Sequence, residues 1–159
     1  MNKIILAIAE LHRCEGRLAN DLRSVAARHH SDHDIFHLAN DLAVWSDEHV
    51  ALLSDHARRH GLRLSSSPRR WPTHRLQSAM SEALRRRQEP SILLLADLRR
   101  IHRVAAGASL DWELLAQGAQ AIKNDELLAV TERCHPQTLR QMRWANAMLK
   151  ELSPQVLAS

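Results

Sequence analysis

Five side chains in this sequence could act together chemically: Glu15, His49, His56, Glu132 and His135. Each stands on or beside a run of apolar residues repeating with helical spacing, so each is expected to face an interior. Glu132 and His135 are three apart, on one face of a helix. Imidazole and carboxylate oxygens together suit Fe, Mn or Zn. The lengths of the joints between runs place the five in two adjacent layers. One holds Glu15, Trp45 and His49 with Ala105 and Ala108 opposite. The other holds His56, Trp112, Leu115, Glu132 and His135. Two readings follow. Either the donors converge on a transition metal, or no cofactor is present and they pair with one another. A buried carboxylate costs several kcal/mol unless a partner compensates it.

Other residues with chemical potential are more scattered. Cys14 and Cys134 form no CxxC pair, and on the inferred register their Cα atoms lie beyond disulfide reach, so both are read as reduced, inert thiols. His29, His30, His33 and His37 crowd one joint and read as a solvated, pH-sensitive surface. The small run Ala105 to Ser109 makes room for an opposing tryptophan. The stretch from Gly61 to Pro90 carries seven arginines against two glutamates, although the whole chain is only +4. Within it, Arg69, Arg70, Trp71, Arg85, Arg86 and Arg87 are the candidate contacts for a polyanion such as nucleic acid, since arginine pairs with phosphate and tryptophan stacks on bases. The competing reading has these arginines pairing with acidic residues on the bundle's outer faces. No glycine-rich phosphate loop and no GxSxG elbow is present, and the absence of tyrosine excludes phenolic acid chemistry.

The elements that must position these groups are helical. The chain has 159 residues with four glycines and five prolines, and it is rich in leucine, alanine and arginine. Four heptad-like seams stand out. The first runs Ile4, Ile8, Leu11, Glu15, Leu18, Leu22, Val25, and the second Ile35, Leu38, Leu42, Trp45, His49, Leu52, His56. The third runs from Leu94 to Ile122, and the fourth from Leu128 to Leu152. They predict helices over 2–30, 32–60, 90–122 and 125–152, in one all-α domain. Ser31 or Asp32 would cap the second, and Gly61 would end it. Pro136 should kink or unwind the fourth, and Pro154 should close it. The first and last joints are short, so those pairs run antiparallel. The crossover 61–89 is long enough to travel the bundle, making the second and third helices parallel. Leu76, Ala79, Met80, Ala83 and Leu84 predict a short helix within it.

This plan, up, down, long crossover, down, up, resembles the ferritin-like superfamily over nearly the whole chain. The resemblance implies a ferritin-like bundle and a di-iron site, built from one Glu on each of the first and third helices and Glu-x-x-His on the second and fourth. Glu15 matches the first-helix position, and Glu132 with His135 matches the fourth. The second helix offers His49 and His56 without Glu-x-x-His, and the third has no carboxylate at mid-seam. The leading expectation is therefore a non-catalytic, interaction-based member of that superfamily. Leu127, Trp144 and Met148 flank the fourth seam and suggest the surface of a homodimer. No apolar run approaches the length of a membrane span, so no membrane partner is expected and the chain reads as cytoplasmic.

Overall fold

Apolar seams alternating at three and four residues leave each helix with one face that must be covered. The computed structural model, which describes residues 3–69 and 89–159, covers them with one another. Four helices carry the described residues: α1 (Lys3–Arg28), α2 (His33–Arg59), α3 (Pro90–Ala121) and α4 (Asp125–Leu157). No strand occurs among them. None of these helices is long and apolar enough to cross a membrane. The expected short helix of the crossover, and Arg70, Trp71, Arg85, Arg86 and Arg87, lie outside the described residues.

Local chemistry sets the helix ends. Asp32 accepts a hydrogen bond from the Ile35 amide and caps α2, and Asn124 accepts from the Leu127 amide and caps α4. Past α2, Gly61 adopts φ 83°, and the amides of Gly61 and Leu62 return to the carbonyls of Arg58 and Ala57. This double bond pattern stops the helix with a left-handed residue. The joint from α3 to α4 repeats the pattern with Lys123 in the left-handed position, at φ 56°. Lys123 and Asn124 bond back to Gln120 and Ala119, and Asn124 then starts the next helix. Pro154 does not close α4 as the sequence suggests, and the helix is not unwound at Pro136. α4 is continuous through Pro136, and it runs past Pro154 to Leu157. A proline removes one amide donor and crowds one carbonyl, and α4 carries Pro136 at an exposed position without a break in the helix.

The four helices touch along four edges. Ile4, Asp21 and Arg28 of α1 meet Gly118, Arg100 and Asp97 of α3. Glu15 and Arg23 of α1 meet His49 and Asp47 of α2. His102 and Ser109 of α3 meet Met142 and His135 of α4. Ser46, His49 and Arg59 of α2 meet Gln141, Gln137 and Glu126 of α4. In each pair the numbers ascend on one helix as they descend on the other, so every touching pair is antiparallel. The apolar core falls into two clusters. One is built on Leu18, Leu22, Ile35, Leu98 and Ile101, and the other on Ile8, Leu11, Leu53, Trp112 and Leu115.

One end of the bundle is tied by charge. Asp97 of α3 is buried and accepts two bonds from Arg28, at 2.8 and 2.9 Å, and lies 2.9 Å from His29 Nε2. Burial alone would raise the Asp97 carboxyl; the bonds from His29 and Arg28 outweigh it and hold the group below its ordinary value. His29 is thus a buried partner of Asp97 rather than part of the solvated cluster expected at this joint, because the last turn of α1 points it at α3.

Two stability outcomes follow. Asp97→Ala strands Arg28 and His29 and should cost about 3 kcal/mol, read as a lower urea midpoint with an unchanged slope. Lys123→Gly relieves the left-handed strain and should raise stability by about 0.5–1 kcal/mol in the same assay.

Candidate functional site

The interior polar layer starts from Glu15, which is fully buried. The seam spacing that puts Leu11 and Leu18 in the core puts Glu15 there too, half-way along α1. Its Oε1 accepts from Trp112 Nε1 at 2.7 Å and from Thr138 Oγ1 at 2.7 Å. Its Oε2 faces His49 Nδ1 at 3.2 Å. On the other side of the ring, His49 Nε2 donates to Gln137 Oε1 at 2.8 Å. Both imidazole nitrogens therefore face acceptors, an arrangement that suits the doubly protonated ring. The Trp112 indole stands edge-on to that ring, with centroids 5.5 Å apart.

Electrostatics agree with the geometry. Burial pulls the His49 ring toward neutrality, but the neighbouring Cys134 thiol and the Glu15 carboxylate outweigh it and lift the pKa to about 10. Burial likewise opposes ionisation of Glu15. The facing His49 and the bonds from Thr138 and Trp112 overcome it and hold the carboxyl below its ordinary value. The layer is an imidazolium–carboxylate pair enclosed by Trp112 and Thr138, with Gln137 completing it. One turn further along α4, Gln141 Nε2 donates to the Leu42 carbonyl at 2.8 Å and to Ser46 Oγ at 2.9 Å, joining α4 to α2 again.

The five sequence-derived candidates do not all converge. Glu15 and His49 meet. His56 is buried two turns further along α2; burial, then the nearby Arg59, lowers its pKa. Glu132 is exposed to solvent, because α4 turns Thr131 and Cys134 inward instead. His135 is half-buried, 2.8 Å from Ser109 Oγ, and points toward Glu113 of α3 rather than the interior. The layer assignment of Trp112 is corrected as well. It sits with Glu15, not with His56, since its indole reaches across the core to the carboxylate. Among the described residues no group of three or more His, Cys, Asp or Glu side chains could hold a metal ion. The di-iron donor set implied by the ferritin-like resemblance therefore does not fit these residues: Glu15 Oε1 is held by Trp112 and Thr138, and Oε2 faces His49 as an ion pair.

Sequence reasoning missed Gln137 and Gln141, which lie off the fourth seam, and Ser46, which flanks the second. A polar residue beside a buried charge carries no periodic signal. The thiols are quiet. Cys14 Sγ points to the Val104 carbonyl at 3.7 Å, and burial, followed by Asp111 and Glu15, pushes its pKa up to about 11. Cys134 is buried beside His49. At the start of the crossover, Ser65 and Arg69 offer their carbonyls to His12 and Asn20 of α1, so this stretch is fastened along the α1–α2 groove. There Arg23 forms a two-pronged pair with Asp47 beside an open groove of about 480 Å³, which also touches Asn20 and Pro68. Of the expected dimer flank, Leu127 is fully buried, while Trp144 and Met148 are half-buried and pack against the core on one side.

No family model, curated protein or solved structure matches the chain.

The sign of the pH response follows from His49. Its folded pKa lies above the ordinary 6.5, so its contribution is complete below that value and is lost as pH rises toward about 10. Glu15 acts oppositely: its contribution is present above 4.5 and is lost as acid protonates the folded carboxylate. The stability difference between wild type and His49→Gln should therefore shrink steadily between about pH 6.5 and 10. Urea titrations at stepped pH check this, and the His49 ring signals in NMR should stay those of an imidazolium at neutral pH.

Proposed function

We propose that the chain is a ferritin-like four-helix bundle that works as a non-catalytic interaction module, with an internal ion pair where a metal centre would lie. The four antiparallel edges support the connectivity. If α1 opposes both α2 and α3, then α2 and α3 run parallel, joined by the crossover 61–89. The single observation that carries the functional reading is the closed Glu15–His49 layer. Its charges neutralise each other, Trp112 and Thr138 occupy one carboxylate oxygen, and Glu15, His49, Trp112 and Thr138 have no solvent exposure. Hydrolytic and redox chemistry alike need a reacting group that a substrate or ion can reach. What the bundle presents outward is then its means of action.

Elemental analysis of the untagged protein, purified after growth in supplemented medium, tests the reading. It should hold less than about a tenth of an equivalent of any transition metal, and a chelator should leave its melting temperature unchanged. Stoichiometric metal that disappears in Glu132→Ala or His135→Ala would overturn it in favour of a His/Glu metal site.

A further inference from the structure

The outer face of α3 carries a pair of exposed leucines. Leu110 and Leu114 are each 68% exposed and one turn apart. Gly107, one turn before Leu110, has nothing within 4 Å of where a side chain would begin, so it leaves an open notch in that face. Arg103 and Glu113 are exposed on either side of the notch. Leu6 of α1 is also exposed, and the contact between Ile4 and Gly118 brings that first turn of α1 alongside the last turns of α3.

We propose that this face is a self-docking surface, on which a second copy of the chain lays its own α3 antiparallel across a two-fold axis. The pattern is self-complementary about one point. Leu110 and Gly107 form a knob and a hole, and Leu114 and Arg103 an apolar tip and an aliphatic stem. Glu113 and Arg103 form an anion and a cation. Every one of these pairs has its midpoint within a residue of Ala108. An antiparallel copy centred there fills each notch with a leucine and sets each Glu113 beside an Arg103, all twice over. A two-fold interface demands that one patch carry both halves of each contact, whereas a foreign partner would need only one. A parallel copy would stack like charges. The proposal rests on the interaction-module reading, but its test reads mass rather than metal content, so the two fail separately.

Sedimentation equilibrium of the full chain, loaded from about 5 to 200 μM, should report twice the 18.1 kDa chain mass at the upper end. The pair Leu110→Lys and Leu114→Lys should give monomer throughout with unchanged far-ultraviolet dichroism, and Gly107→Leu, which fills the notch without touching the fold, should do the same. Arg103→Glu and Glu113→Arg should each weaken association by about fivefold, and the two together should restore it to within about twofold of wild type. A wild-type monomer at about 200 μM, a dimer indifferent to these leucines, or charge reversals that merely add would each overturn the proposal.

Discussion

The constraint that organises this protein is a carboxylate placed where water cannot reach it. A charge at the middle of a helical bundle is tolerable only if the opposite charge and enough donors arrive from the surrounding helices. Glu15 comes from α1, its cation His49 from α2, the indole donor Trp112 from α3, and the hydroxyl donor Thr138 from α4. The layer thus uses all four helices, and it tolerates one relative register. Sliding α1 or α2 by a turn would keep leucine against leucine but would part the two charges, and sliding α3 or α4 would take a donor from Glu15. Apolar seams alone admit such slips at small cost, so the polar layer is what makes the packing unique.

This also explains the asymmetry between the two edges that α2 makes. Its contact with α1 joins Glu15 to His49 and buries Leu53 and Ala57 in the same cluster as Ile8 and Leu11. Its contact with α4 is bridged largely by polar groups: His49 with Gln137, Gln141 with Ser46 and the Leu42 carbonyl, Arg59 with Glu126, and Arg133 with Glu48. Hydrogen bonds need closer alignment than apolar contacts, so this edge fixes orientation while the others supply most of the buried apolar surface.

The helical organisation was legible because a seam is a repeated signal. Ile8, Leu11, Leu18 and Leu22 each say the same thing, and an error at one is corrected by the others. The site was legible only in part. Glu15 and His49 break an apolar rhythm and so announce themselves. Glu132 sits one position off the line through Thr131 and Thr138, and a single position rotates a helical side chain by roughly 100°. Periodicity alone could not rank it below His135. The layer of Trp112 depended on the register between α1 and α3, which are separated by the crossover and have no joint to calibrate them. Pro154 misled as an end signal, because α4 runs on past it to Leu157.

The distribution of the pair along the chain has a kinetic consequence. Both ions belong to the first helical hairpin, and what encloses them, Trp112, Thr138 and Gln137, belongs entirely to the second and is uncharged. The first hairpin can form with its ions still hydrated, since its closure spans only the short turn at 29–32. Arrival of the second hairpin is the event that strips water from both ions at once. The barrier to assembly therefore contains a dehydration step that no apolar bundle of this length would have. In reverse, separation of the two hairpins readmits water to both ions together, because Trp112, Thr138 and Gln137 leave as one unit.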